Sequence, residues 1–335
     1  MRRRINNRWS LAAREFFFRL CCSHKQGEKP NILLHCMPRS GSTWILNTVS
    51  AHPGMRYIGR PFMTALNSRW RGSIPDLTAT YNDGPDHDIG HFIHFEGEEL
   101  KRFEEFARRI VMAQWHIYPT LHFRAPYFNR KTDRVILQVH TIFAMCQWFH
   151  ETFPVNTALL LRHPIPNALS IIARDWRDEG AAYLHHPWFV DTHLTGAQVD
   201  LGRKILAEGS LLERHVLDGS LRTLVPLRAI ESGEHPDWLL VTYEQLTLEP
   251  EKVVGAMSRY WDLPDVGAMM RQVRLPSRTV SADTAGKVTD PDYLLKRWRS
   301  KIGKDEERRV MRIPAAMGID IYECDSFMPA AKALH

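Results

Sequence analysis

Seven consecutive residues, Pro38-Arg39-Ser40-Gly41-Ser42-Thr43-Trp44, combine a permanent cation, three hydroxyl side chains and a glycine. Residues 31–36 before them form an apolar run of strand length, and the apolar positions from 44 to 49 have helical spacing. The first N–H groups of a helix have no partner within it and lie at the positive end of the helix dipole. The sequence therefore predicts a buried strand, a tight turn and a helix start that together bind an anion.

The side chains of this loop suit a phosphate. Gly41 lets the backbone come close to the anion, Arg39 supplies a planar guanidinium, and the hydroxyls of Ser40, Ser42 and Thr43 add donors. Ser42 and Thr43 are also predicted to cap the helix. The loop is not a Walker A motif, because the first glycine and the lysine of Gly-x-x-x-x-Gly-Lys-Ser/Thr are missing. A magnesium nucleoside triphosphate is therefore not the expected ligand.

A second anion-binding pattern lies more than a hundred residues further along the chain. Residues 157–161 form an apolar strand, Arg162 follows it, and Ser170 stands eight residues later in a helical pattern. A guanidinium at a strand end and a hydroxyl on the following helix can converge on one phosphate.

A third strand pattern, residues 134–139, places His140 at its carboxyl end. Ligands of open α/β sheets gather at that edge. An imidazole with a pKa near ~6.5 can remove a proton around neutral pH. A structural histidine is the alternative, and the two anion-binding patterns favour a general base.

At these residues the chain resembles the sulfotransferases that use 3′-phosphoadenosine 5′-phosphosulfate (PAPS). Residues 38–44 match the family's 5′-phosphosulfate loop, Pro-Lys/Arg-Ser-Gly-Ser/Thr-Thr-Trp. With an arginine rather than a lysine at position 39, the loop is more similar to that of the Golgi-type, tyrosylprotein and bacterial members than to that of the cytosolic ones. Arg162 and Ser170 keep the spacing of its 3′-phosphate motif. The resemblance implies PAPS as donor and no metal. It also implies His140 as the base, with Arg39 and the loop stabilising the leaving phosphate.

The resemblance extends to weaker motifs. Tyr243-Glu244-Gln245-Leu246 resembles the family's Tyr-Glu-Asp-Leu, which implies that Tyr243 lies against adenine, although a plain core position is the alternative. Ser281 and Lys287 match residues that reach the nucleotide's phosphate side. The chain departs from the family at Gln138, where cytosolic members carry a lysine, and at Arg60, where tyrosylprotein and carbohydrate members often carry a glutamate.

These patterns predict an α/β fold, a P-loop NTPase-like three-layer α/β/α architecture with a central, mostly parallel sheet. The strands are expected near 31–36, 134–139, 157–161 and 238–243, with helices near 98–116 and over 201–227. A chain of 335 residues that is 44% hydrophobic can bury a full core. Residues 1–29 are interpreted as a basic amphipathic segment and linker. Residues 30–325 are interpreted as one sulfotransferase domain with acceptor-site insertions near 63–131 and 176–200.

Residues 1–22 contain three consecutive arginines and a set of aromatic and aliphatic residues interrupted by charges, which is not a signal-peptide core. The segment can be a helix that lies on an anionic membrane or a helix that packs against the domain, and the sequence does not decide between the two. No run reaches the ~18 apolar residues of a membrane span. The five cysteines form no Cys-x-x-Cys pair, which favours reduced thiols and a cytoplasmic location, with peripheral membrane contact open.

The formal charge of +6 is spread along the chain and indicates no nucleic-acid partner. The histidines show no compact metal-binding spacing. The sequence does not determine the acceptor of the sulfuryl group, which can be a carbohydrate, a lipid, a peptide or a small alcohol. An amine is less favoured than a hydroxyl. The sequence does not determine the oligomeric state. Two alternatives remain, a P-loop phosphotransferase and a catalytically inactive nucleotide-binding protein associated with a membrane.

Overall fold

A five-stranded sheet, in which every strand runs parallel to its neighbours, forms the centre of the molecule. The computed structural model describes residue 16 and residues 20–62, 92–114, 129–275 and 290–330. The strands are β1 Ser23–His24, β2 Asn31–Cys36, β3 Met55–Gly59, β4 Lys131–Thr132, β5 Arg134–Val139, β6 Val155–Leu161 and β7 Leu239–Thr242. The sheet order is β3-β5-β2-β6-β7, and β1 pairs with β4 separately.

Helices cover both faces of the sheet. In the described part of the chain they are α1 Ser42–Ser50, α2 Gly97–Val111, α3 Cys146–Thr152, α4 Pro164–Ile172, α5 Gly180–Leu184, α6 Pro187–His193, α7 Gly196–Glu208, α8 Leu211–Glu231, α9 Tyr243–Leu248, α10 Pro250–Tyr260, α11 Val266–Val273, α12 Pro291–Lys296 and α13 Lys304–Ala316. Short 3-10 helices, Phe143–Met145 and Arg297–Ser300, precede α3 and follow α12.

The inner strands β2, β5 and β6 are predominantly apolar and buried because both of their faces are covered. Leu33 in β2 packs with α2 and α3 on one face, whereas Ile32 and Leu34 pack with α1, α10 and α11 on the other. All six residues of β2 are buried. The predicted fold class, α/β in three layers around a central parallel sheet, is confirmed.

The helix predicted over 201–227 is wrong as a single element. The structure has α7 and α8 there, separated by Gly209 and Ser210. Ser210 accepts a hydrogen bond from the Glu213 N–H, and the Glu213 side chain accepts one from the Ser210 N–H. This capping box starts a new helix, which the continuous apolar pattern concealed. The other predicted elements agree with the structure within a few residues, except that α2 ends at Val111 rather than near 116.

The segment 176–200 is helical and forms part of the core. Tyr183 in α5 and Phe189 in α6 are fully buried in the same apolar cluster as α8. Much of the other predicted insertion, residues 63–91 and 115–128, lies outside the described residues, as do residues 1–15 and 17–19 of the N-terminal segment. Within the described chain, the helices are too short or too polar to cross a membrane.

Candidate anion-binding and catalytic site

The predicted loop lies between β2 and α1 and turns through two residues in the left-handed region. Arg39 has φ 67° and Gly41 has φ 97°. Gly41 is the N-cap of α1, which has no side-chain cap, so the predicted capping by Ser42 and Thr43 is wrong. A Cβ atom on Gly41 would lie 2.6 Å from Cδ2 of Tyr243. The loop therefore requires glycine both for its backbone conformation and for the close approach of an aromatic ring.

The two anion-binding patterns of the sequence meet in the structure. The Arg39 Nε donates to Ser170 Oγ at 3.0 Å. The Arg162 Nη1 donates to the backbone oxygen of Arg39 at 2.9 Å. They meet because β2 and β6 are adjacent and parallel, so their carboxyl ends lie at the same edge of the sheet. Two segments predicted separately thus form one cluster of donors.

Tyr243 follows β7 and lies in this cluster. Its ring centroid is 4.4 Å from the Arg162 guanidinium carbon. Its ring also meets Trp44 edge-on, with centroids 6.0 Å apart, and the Trp44 Nε1 donates to the Val273 oxygen at 2.8 Å. Tyr243 therefore packs against the loop and both anion-binding segments rather than in an unrelated part of the core.

Positive charge accumulates around the loop. Burial, together with the charges of Arg174 and Arg162, lowers the pKa of Arg39. Among the described residues, Arg39, Arg162 and Arg174 form no ion pair, and the buried Nε of Arg162 has no hydrogen-bond partner. The nearest carboxyl group, that of buried Glu244, feels the charge of Arg162 but has a raised pKa, so the three guanidinium groups favour a bound anion.

Sequence reasoning missed Arg174. It lies in the turn two residues beyond the end of α4 at Ile172, so helical spacing from Ser170 does not place it. Its positive charge four residues after Ser170 is the signal that could have marked it as a candidate.

Two of the three loop hydroxyls, those of Ser40 and Ser42, already have partners within the protein. Ser40 Oγ donates to the Met37 oxygen at 2.7 Å, and Ser42 Oγ accepts from Gln138 Nε2 at 2.6 Å. Asn167 Nδ2 donates to the Pro38 oxygen at 3.0 Å. These contacts hold the turn in place, which leaves the unpaired N–H groups of the first turn of α1 directed outward.

His140 lies at the carboxyl end of β5, as predicted, and is 6% exposed. Its Nδ1 lies at the Cys36 oxygen, and its Nε2 is 3.2 Å from Gln138 Nε2. These contacts are compatible when Nδ1 carries the proton and donates to Cys36, and Nε2 accepts from the Gln138 amide. Gln138 thus donates both to Ser42 and to the nitrogen of His140 that can take a proton.

The surroundings keep His140 neutral. Burial and the charges of Arg60 and Arg222, opposed by the Cys36 hydrogen bond, lower the pKa of His140 to about 4. Arg60 is exposed at the end of β3, and its charge acts on this imidazole. Both positions at which the sequence departs from the sulfotransferase motifs, Arg60 and Gln138, therefore influence His140.

Arg222 is a further residue that sequence reasoning missed. It is buried in α8, where it pairs with Asp218 at 2.8 Å and with Glu179, and its Nη1 donates to the His140 oxygen at 3.4 Å. The signal was the Asp218/Arg222 spacing of four residues within a helix. Ser281 and Lys287 lie outside the described residues.

No protein-family model and no curated protein matches the chain. Solved structures with a similar fold include the sulfotransferase domain of the olefin synthase of Synechococcus PCC 7002, at 14% identity over 90% of this chain and 99% of that chain, with a TM-score of 0.41. Mouse sulfotransferase SULT7A1, complexed with PAP, is 14% identical over 89% of this chain and 88% of that chain, with a TM-score of 0.39. Retinol dehydratase, in complex with androsterone and the inactive cofactor PAP, is 11% identical over 90% of this chain and 83% of that chain, with a TM-score of 0.34. Likeness at this level does not identify a function, so the function has to be argued from the residues of the site.

Proposed function

We propose that this protein is a PAPS-dependent sulfotransferase that transfers a sulfuryl group to a hydroxyl of an acceptor. The observation that carries the proposal is the contact of Arg39 with Ser170, which brings the 38–44 loop and the segment from Arg162 to Ser170 to one edge of the sheet. A nucleotide with phosphate groups at both its 3′ and 5′ positions requires two such binding segments close together. One helix N-terminus serves one phosphate, and a second cluster of cations is needed for the other.

The proposed roles follow from this arrangement. Arg39, with the unpaired backbone N–H groups at the start of α1 and the Thr43 hydroxyl, holds the 5′-phosphosulfate, while the Ser40 and Ser42 hydroxyls hold the turn that presents them. Arg162 and Ser170 hold the 3′-phosphate, with Arg174 adding charge. Tyr243 and Trp44 provide aromatic surface for the nucleotide, and Ser281 and Lys287 complete the phosphate side.

In the reaction, the acceptor oxygen forms a bond to sulfur while the bond from sulfur to the bridging oxygen of the donor breaks. Negative charge develops on the bridging oxygen, where Arg39 and the helix N–H groups stabilise it without rearranging. The acceptor proton goes to Nε2 of His140, which is unprotonated at neutral pH. The Gln138 amide must leave Nε2 before that nitrogen can accept the proton, because one lone pair cannot serve both donors.

The acceptor is proposed to bind near the segments 63–131 and 176–200, as a carbohydrate, lipid, peptide or small alcohol. A cytoplasmic location is also proposed, supported by the five cysteines, all of which are free thiols. The phosphotransferase alternative has no support from the loop, which lacks the lysine of a Walker A motif.

A protein that binds the nucleotide without catalysing transfer is the second candidate. The observation that favours it is the hydrogen bond of Gln138 to the proposed base. Tight binding of the product nucleotide without sulfuryl transfer to any acceptor class would support this candidate.

Calorimetric titration with 3′-phosphoadenosine 5′-phosphate tests the donor site. Loss of a hydrogen bond to a charged group typically costs about 1.5–3 kcal/mol, so Arg162→Ala is expected to weaken binding at least about tenfold. Arg203→Ala is the matched control, because Arg203 is exposed on α7, away from the loop, and its removal is expected to leave binding unchanged. Adenosine 5′-phosphosulfate, which lacks the 3′-phosphate, is expected to bind weakly to the wild type and to both variants. Tighter binding of magnesium ATP than of the 3′-phosphorylated nucleotide would overturn the proposal.

A further inference from the structure

His150, His235 and Asp237 form a cluster at the opposite edge of the sheet from the anion-binding loop. Each offers a ligand atom, and these atoms lie within 4.8 Å of one another. His150 is on α3, and the other two residues lie between α8 and β7. The amino ends of β6 and β7 are at this edge, whereas Arg162 and Tyr243 follow their carboxyl ends.

From these residues we propose a binding site for a divalent transition metal ion, of which Zn²⁺ is the representative. The proposal is independent of the sulfotransferase function. Two imidazole nitrogens and one carboxylate oxygen are the ligands that such ions prefer, whereas Ca²⁺ and Mg²⁺ prefer oxygen alone. With three protein ligands, a fourth position is open to water.

The separation of the first two ligands fits this geometry. His150 Nε2 is 3.4 Å from Asp237 Oδ2. Ligand atoms about 2.0–2.2 Å from a tetrahedral zinc ion lie about 3.3–3.6 Å apart, so one ion can bind both without moving either. His235 completes the set by a small movement, because its ring centroid is 5.1 Å from that of His150.

Neighbouring residues orient both imidazoles. Thr157 Oγ1 lies 3.3 Å from Nδ1 of His150, and this buried hydroxyl can accept a hydrogen bond from the Nδ1–H, which leaves the Nε2 lone pair available for a metal ion. The His235 ring stacks on buried Trp238, with centroids 4.6 Å apart and an interplanar angle of 15°. Outer contacts of this kind fix the tautomer and ring direction of metal-binding histidines.

The site would join α3 to the segment before β7. An ion bound there contacts residues that are far apart in sequence and that are assembled only in the folded chain, so it stabilises the folded state by mass action. His150 and His235 are half-buried, and Asp237 is exposed, so an ion can enter from solvent.

The test uses the full-length protein after removal of metal with a chelator. Titration with Zn²⁺ is expected to show one equivalent bound with an accompanying rise in Tm, and Co²⁺ is expected to give the visible absorption of a four-coordinate nitrogen and oxygen site. His235→Gln and Asp237→Asn are expected to lower Zn²⁺ affinity at least about tenfold, the loss that even an outer-shell substitution can produce. The metal-free variants should give the far-UV circular dichroism of the wild type and unfold cooperatively in urea, which shows that they are folded whether or not the protein binds a nucleotide.

His185→Gln is the matched control, because His185 is an exposed histidine away from the cluster and its removal should leave Zn²⁺ binding unchanged. The control also distinguishes this site from histidines elsewhere in the chain. Zn²⁺ binding that is absent, or that is unaltered in both His235→Gln and Asp237→Asn, would overturn the proposal and leave the contact of His150 with Asp237 as an ordinary polar contact.

Discussion

At the scale of single residues, glycine is required at position 41 both for the positive φ and for the close approach of Tyr243, and the two requirements can be separated experimentally. Gly41→Ala places a side chain at φ 97° and against Tyr243, whereas Gly233→Ala meets a similar φ of 72° with no atom within 4 Å. We expect each substitution to cost about 1–2 kcal/mol of stability through backbone strain. Only Gly41→Ala should also weaken binding of the product nucleotide, because it displaces Tyr243 from the loop. Urea unfolding and calorimetry measure the two effects, and equal nucleotide binding by both variants would contradict the prediction.

His140 carries the proposed proton transfer, and its removal should affect turnover rather than nucleotide binding. General bases typically contribute about 10²–10⁴-fold to a rate, so His140→Ala should lower kcat by at least about 10² while the affinity for the product nucleotide stays within about twofold. Because its pKa is lowered to about 4, the wild-type rate should stay level from neutral pH to about 5 and fall as pH approaches 4. Transfer of labelled sulfate from PAPS is the measurement. His24→Ala, which removes a half-buried histidine near β4, is the control, and equal loss of kcat in both variants would exclude a specific role for His140.

At the scale of elements, Glu244 joins three parts of the chain that meet behind the anion-binding site. It is buried at the start of α9, accepts from the N–H of His163 at 2.9 Å after β6, and accepts from the Tyr322 hydroxyl at 2.6 Å in the C-terminal segment. Burial raises the pKa of this carboxyl group. The contact holds the residue that follows Arg162, so it contributes to the position of that arginine.

Glu244→Ala should lower the free energy of unfolding by at least about 2 kcal/mol, because it leaves two buried donors without an acceptor. It should also weaken nucleotide binding, since the end of β6 is released. Glu249→Ala is the comparison, because Glu249 is exposed and, within the described residues, its side chain pairs with Lys252 alone, at 3.4 Å, an interaction worth at most about 1 kcal/mol. Urea unfolding of the two variants measures this difference. Similar free energies of unfolding would show that Glu244 does not join these elements.

At the scale of the whole molecule, buried histidines make stability depend on pH. Burial is the main cause that lowers the pKa of His35 to about 3, of His140 to about 4 and of His163 to about 3. In the unfolded chain these groups take up protons near pH ~6.5, whereas in the folded state they stay neutral until pH 3–4. Stability is therefore full above pH ~6.5 and is lost as pH falls toward 4, by up to about 1.4 kcal/mol per pH unit for each group.

Urea unfolding at pH 7.5, 6 and 5 measures this loss. In His35→Leu the free energy of unfolding should depend less steeply on pH, by the equivalent of about one proton. The reason is that His35 lies within β2 with neither ring nitrogen hydrogen-bonded among the described residues. The leucine removes the titrating group and keeps the position apolar. The same pH dependence in wild type and His35→Leu would contradict this explanation of acid sensitivity.

The sequence by itself was sufficient for the central strands and for the composition of the anion-binding loop. The strands β2 and β5 were predicted at their observed limits because a strand buried on both faces has a near-continuous apolar run, here residues 32–34 and 135–137. The turn at Gly41 was predictable because proline fixes φ and glycine permits the left-handed region, and both effects are local. The apolar pattern could not show the break between α7 and α8, since the capping box at Ser210 interrupts the helix without interrupting the pattern.

Only the tertiary structure decided how the predicted residues relate to one another. Contacts such as Arg39 with Ser170, the addition of Arg174 to the cluster and the ion pairs of Arg222 join residues that lie far apart in sequence or on different turns of a helix. The hydrogen bond of Gln138 to His140 depends on side-chain directions at the end of β5, which spacing does not specify. Local sequence determines backbone conformation and burial, whereas strand order and packing determine which polar groups share a hydrogen bond or a charge, and these decide the chemistry of the site.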